Sequence, residues 1–171
     1  MKRALAHVRN LEAAREQGPF LLTSCPANAL QGYAQNDNGW DQGQIFYTPD
    51  KVWLQPCGWA QQMASANHRD ILVAGKTDDA DMTVSATRDR EGMSVVLHLC
   101  NPSAEEKPVS FDFAGTANLM LAKATSLSAP SLETRNPPDD PDRVSPRDVT
   151  AAFRAAPVLR PYSYTVVEFR K

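Results

Sequence analysis

With 171 residues, 42% of them hydrophobic and 22% charged, the chain has the composition of a packed globular protein, which excludes wholesale disorder. The formal net charge is −2 and lysines and arginines form no stripe, which excludes a nucleic-acid footprint. No apolar stretch approaches the roughly 20 residues that cross a bilayer, so neither nucleic acid nor membrane is expected as a partner.

Lys2 to Gln17 read as a helix. Leu5, Val8 and Leu11 recur at three-residue steps among strong helix formers, and Gly18-Pro19 supplies the stop. Glu12 and Glu16, one turn apart, read as its solvated face. No N-cap precedes the pattern, as expected of a helix whose chain continues upstream. The opening "MKR" and the later "LLTSC" imitate a lipoprotein signal, but Arg9, Glu12, Arg15 and Glu16 interrupt the apolar core that a signal requires. No signal peptide is visible, and the compartment stays open.

Phe20–Thr23 is a short apolar run suited to a buried strand. A loop is expected from Ser24 to Gly43, then a strand at Gln44–Tyr47 and a helix from Gly58 to His68. The first 67 residues therefore run helix, strand, long loop, strand and helix. One or two strands do not make a sheet of adequate size, so strand Phe20–Thr23 should leave apolar surface and unpaired backbone exposed.

From Ile71 onward the pattern changes. Asp81–Thr87, Ser94–Cys100, Val109–Phe113, Leu119–Thr125 and Ser163–Phe169 alternate apolar and polar residues between Gly-, Pro- and Asn-containing turns. Short alternating strands at about 8–12-residue spacing indicate a β-sandwich. The segment "ETRNPPDDPDRVSP" carries four prolines and reads as an extended, exposed loop. Cys25, Cys57 and Cys100 are odd in number and widely spaced, so buried thiols are expected rather than disulfides; His7, His68 and His98 are equally scattered, and no zinc site is indicated.

Taken in order, "HVRNLEAAREQGPFLLTSCPANALQ", "NDNGWDQGQIFYTPDKVWLQPCGWAQQMASANH", "ATRDREGMSVVLHLCNPS", "ETRNPP…VSP" and "PYSYTVVEF" resemble the C-terminal region of retaining α-L-arabinofuranosidases of glycoside hydrolase family 51. The resemblance implies a mainly β chain: a jelly-roll-like antiparallel β-sandwich over 68–171, preceded at 1–67 by the last helix-strand-helix piece of a (β/α)8 barrel. It also implies an arabinofuranosyl-containing saccharide as ligand, the N-terminal barrel portion as partner, a homo-oligomer, and no cofactor.

Such enzymes need two carboxyl groups about 5–5.5 Å apart. Between Glu16 and Glu91 this chain has no glutamate. Glu91, Glu105 and Glu106 fall in expected turns, Glu133 beside the proline-rich loop, and Glu168 outward on the last strand. No catalytic residue is assigned, and the chain alone is expected to be inactive. For substrate binding the candidates are Asn28, Trp40 and Asp41. The resemblance places Asn28 near an amide that binds arabinose hydroxyls, and an amide matches both roles of a hydroxyl. Trp40 offers a flat face beside Gly39, and Asp41 a hydroxyl acceptor. Against this, Asn36–Gly39 are turn formers and Asp41 is a cap residue. Phe46, Tyr47, Trp53 and Trp59 are also candidates for facing a sugar, with core packing the stronger reading for Phe46 and Trp59. The alternative to an enzyme portion is a non-catalytic carbohydrate-binding or assembly sandwich. Residues 68–171 contain no tryptophan for a binding platform.

Overall fold

The computed structural model describes residues 1–25, 28–35, 42–115 and 118–171. Helix α1 (Lys2–Glu16) ends at Gln17, and a 3₁₀ turn at Gly18–Phe20 leads out of it. Gly18 adopts φ +56, a left-handed conformation that a glycine reaches without a Cβ penalty. Three short strands follow: β1 (Leu30–Gly32), β2 (Ile45–Tyr47) and β3 (Val52–Leu54), with β1 parallel and β3 antiparallel to β2. Helix α2 (Pro56–Ala66) begins with proline in its first turn, where the missing N–H costs nothing.

The second part is built on a six-stranded antiparallel sheet. Its strands are β4 (Ile71–Val73), β5 (Thr83–Arg88), β6 (Ser94–Asn101), β8 (Met120–Ser128), β9 (Arg147–Asp148) and β11 (Ser163–Arg170), in the order β4-β5-β6-β11-β8-β9. A two-stranded ribbon of β7 (Lys107–Pro108) and β10 (Val158–Leu159), with the short helix α3 (Thr150–Ala155) and the stretch 109–113, covers one face. Phe111 and Phe113 stand edge-on to Phe169 there, with ring centres 5.1 and 4.9 Å apart. The chain is mainly β with a sandwich-like arrangement of antiparallel sheets.

Helices α1 and α2 cover the other face. Ala4, Leu5 and Val8 of α1 and Ala60, Met63 and Ala64 of α2 share one core cluster with Val96, Cys100, Tyr164 and Val166 of the sheet. This double cover explains why all eight residues of β6 are buried, polar Ser94 and His98 included, although the sequence alternates.

Several expectations need correction. The loop expected over 24–43 contains β1, whose Gln31 and Gly32 give no strand signal; the backbone is recruited by the ladder to β2. Val109–Phe113 forms no ladder among the described residues, and the ladder sits just before it, at Lys107–Pro108. The proline-rich segment is anchored rather than simply exposed: Asn136 and Val144 are both 1% accessible. Cys57 and Cys100 are buried, whereas Cys25 is exposed. Glu12 is not on a solvated face, because the helix turns it onto β5 and only 3% remains accessible. Glu168 likewise is half-shielded, bonded to Arg69 at 2.6 Å and to Arg170 at 2.9 Å. Arg69 lies between α2 and β4, so this ion pair ties the connection between the two parts onto the sheet.

Candidate functional site

Leu21 leaves the 3₁₀ turn in an extended conformation, and residues 21–25 join no ladder among the described residues. Phe20 is 93% and Leu22 91% accessible, so the run read as a buried strand presents its apolar side chains to solvent. A cleft of ≈ 540 Å³ separates this segment from the helices, with Leu21, Leu22 and Thr23 on one wall and Leu11, Arg15 and His68 on the other. Arg15 is held in that wall by donating to the Ala64 carbonyl at 2.8 Å and to Ser85 Oγ at 3.5 Å.

Beyond the cleft, Asn28 occupies the turn into β1. Its φ of +54 is left-handed, a conformation asparagine tolerates better than most residues, and its side chain is exposed. Its carbonyl accepts from Gln44 N at 3.3 Å. Trp40 and Asp41, the other two candidates, lie outside the described residues, as do Asn36 to Gly39. Gln31 holds the far end of that connection: its Oε1 accepts from the backbone of Gln42 at 2.9 Å and Gly43 at 2.6 Å. The sequence gives no sign of this positioning role: there Gln31 is a secondary alternative to Asn28 for a sugar hydroxyl, in a stretch that reads as loop.

Behind the small sheet lies an aromatic cluster. Tyr33 and Trp53 have ring centres 5.7 Å apart, and Phe46 meets Trp53 edge-on at 6.0 Å. Phe46 and Trp53 are buried, and Trp59 packs against the helix-side core; Tyr47 stays partly exposed. Trp53 Nε1 and Gln55 Nε2 both donate to the Asn136 carbonyl, at 2.8 and 2.6 Å. Asn136 in turn donates from Nδ2 to Leu54 O and Val144 O and accepts from Val144 N, all within 2.8–2.9 Å. The asparagine fastens the proline-rich loop to β3. In the sequence Asn136 stands within a segment that reads only as an extended, exposed loop.

A smaller polar hollow of ≈ 230 Å³ opens between α1 and the start of β2, lined by Arg3, His7, Asn10, Gln42 and Gln44. His7 Nε2 lies 2.6 Å from Gln61 Oε1 and 3.5 Å from Gln44 Nε2. With its proton committed to Gln61, the same nitrogen has no lone pair for the second amide, so the contact with Gln61 governs the ring's orientation.

Acid chemistry is thinly supplied. Burial, only partly offset by the Thr83 hydrogen bond and by Arg15 and Arg9, pushes the Glu12 carboxyl up to about 7. Asp79 and Asp148 move the other way, each lowered first by a side-chain hydrogen bond, from Lys107 and from Thr150. A retaining mechanism needs two carboxyls in one cleft with their affinities driven apart. Among the described residues Glu12 is the one carboxyl raised in this way, and it faces the sheet. Among the described residues no group of three or more His, Cys, Asp or Glu residues is placed to hold a metal ion.

A sandwich with two helices on its face matches the C-terminal region of family 51 α-L-arabinofuranosidases. The arabinose-bound α-L-arabinofuranosidase MgGH51 matches with a TM-score of 0.80 at 14% identity, over 98% of this chain and 27% of its own. AbfB, a family 51 α-L-arabinofuranosidase from Bifidobacterium longum, matches with a TM-score of 0.72 at 16% identity, over 98% of this chain and 33% of its own. The α-L-arabinofuranosidase of Thermotoga maritima in its arabinose complex matches with a TM-score of 0.62 at 15% identity, over 76% of this chain and 32% of its own. No curated protein matched the sequence. The family model of the α-L-arabinofuranosidase C-terminal domain matches residues 27–163. The chain belongs to that family, and it spans about a third or less of the length of the solved structures it matches.

Proposed function

We propose that this chain is the C-terminal portion of a retaining α-L-arabinofuranosidase that removes terminal arabinofuranosyl units from arabinan or arabinoxylan. In this reading residues 1–67 complete a (β/α)8 barrel, residues 68–171 form the sandwich that braces it, and the catalytic glutamates belong to polypeptide outside these 171 residues. The family match across 27–163 carries the reading. Two features support it. Leu22 stands exposed on backbone that has no ladder partner among the described residues, as a barrel strand would without its neighbours, and Phe20, at the end of the 3₁₀ turn, is exposed beside it. Among the described residues the one carboxyl pushed upward, Glu12, faces a sheet rather than a cleft shared with a second acid.

Substrate contact falls to the turn and loop after that segment: Asn28 from its exposed left-handed position, with Trp40 and Asp41 further along. The rest of the barrel is the partner that seats against Phe20–Thr23, and the assembled enzyme is a homo-oligomer. A free-standing binding module is less well supported, since Phe111, Phe113, Phe153 and Phe169 of the sandwich pack on one another rather than forming an exposed platform.

The test is turnover of an aryl α-L-arabinofuranoside. These 171 residues alone should release no aglycone, and adding a separately produced barrel polypeptide that carries two strand-end glutamates should restore release. Clear turnover by the chain alone would overturn the reading.

A further inference from the structure

The sheet face beneath α1 is not apolar throughout. Thr83, Cys100 and Tyr164 are cross-strand neighbours on β5, β6 and β11, and Ser85 and His98 form the next row. Glu12 and Arg15, neighbours on α1, both reach this patch. Glu12 accepts a hydrogen bond from Thr83 Oγ1 through one oxygen, while its other oxygen, Oε1, is buried without a hydrogen-bond partner. Among the described residues none of the ion pairs involves Glu12. Arg15 commits its guanidinium to Ala64 O and Ser85 Oγ instead.

The groups around Glu12 leave it as the member of the patch free to change charge near neutrality. Its own helix contributes Arg9 and Arg15, permanently charged, and Glu16. From β6, burial holds the His98 ring neutral by lowering its pKa to about 3, and raises the Cys100 thiol to about 12. From β11, burial lifts the Tyr164 phenol well above its ordinary range, and its hydroxyl is bonded to His98 Nδ1 at 2.6 Å. From β5 come only the hydroxyls of Thr83 and Ser85, and from α2 the Ala64 carbonyl. A carboxylate here would have one neutral donor and no counter-ion in contact, so ionisation favours admitting water.

We propose that Glu12 is a protonation latch: α1 is fully seated on β5 and β6 when this carboxyl carries its proton, and the seating loosens when the proton is lost. The closed form holds a proton at a pH where the opened form has released it. Opening is therefore promoted as pH rises, and the effect saturates once both forms are ionised. The device does not depend on the glycosidase reading, because it is a property of the helix–sheet contact.

The experiment follows the Glu12 side-chain carboxyl by carbon NMR in the full chain, together with amide exchange of α1 corrected for intrinsic base catalysis, from pH 5 to pH 8. Glu12 should titrate at least one pH unit above ordinary glutamate. Opening of α1 should become on the order of tenfold to a hundredfold more frequent across that range. Glu12→Gln should abolish the pH response and Glu16→Gln should retain it. A Glu12 titration in the ordinary glutamate range overturns the proposal, as does an E12Q variant whose α1 opens with the same pH response as the parent. Should E12Q fail to fold, the carboxyl titration of the parent chain decides.

Discussion

Asn136 illustrates how one residue sets a long connection. Its side chain makes three hydrogen bonds across to Leu54 and Val144 in a site that is 1% accessible. Asn136→Ala would leave buried carbonyl and amide groups unpaired, and each such orphan costs about 1–3 kcal/mol. The expected loss is roughly 3–5 kcal/mol, measured as a lowered midpoint in urea. Glu12 gives the second prediction at this scale. Its raised affinity means the unfolded chain binds fewer protons than the folded one between its ordinary value of 4.5 and about 7. Folding stability should therefore fall as pH rises through that window and level off above it, by at most roughly 3–4 kcal/mol at about 1.4 kcal/mol per unit. Urea midpoints at pH 5 and pH 8, compared between the parent and E12Q, check the sign.

At the scale of elements, the junction of β3 and α2 is closely packed against backbone. A Cβ on Gly58 would come within 2.5 Å of the Gln44 carbonyl oxygen and 2.8 Å of Leu54 Cδ2. Alanine normally strengthens a helix by up to about 1 kcal/mol over glycine. Here the obstacle is backbone that cannot step aside, so Gly58→Ala should destabilise by about 1–3 kcal/mol, read as a lowered melting temperature. Leu22 is the opposite case. At 91% accessible, Leu22→Ser should change the stability of this chain by less than about 0.5 kcal/mol. It should weaken restoration of activity by the barrel polypeptide in the mixing assay.

The same elements mark how far sequence reasoning reaches. Helix α1 and strands β5, β6 and β11 declared themselves through residue period, which one-sided or two-sided burial imposes directly. Strand β1 did not, because Leu30-Gln31-Gly32 owes its conformation to a neighbouring strand and not to its own side chains. Helix α3 is too short for a helical period to show in "TAAFRA". Glu12 was misread because helical spacing tells which residues share a face and not what covers it; the sheet that covers Glu12 begins more than fifty residues later. Of the candidate site, Asn28 was picked by chemistry and is found on an exposed left-handed turn, which also accounts for an asparagine there on backbone grounds alone.

For the whole molecule, the decisive property is that α1 and α2 complete the core of the sheet on which they lie. Val96, Cys100, Tyr164 and Val166 share one buried cluster with residues from both helices, and the Arg69–Glu168 pair secures the chain between α2 and β4 onto the sheet. The change of sequence pattern near residue 67 is not matched by a break in the core, since one buried cluster takes residues from both sides of it. Anyone trimming the gene to obtain the sandwich by itself would uncover an oily strip along its middle strands, and the shortened product should clump or drag in chaperones. An expression boundary placed upstream of α1 avoids that outcome, and comparing the soluble yields of the two lengths would reveal it in a single afternoon's gel.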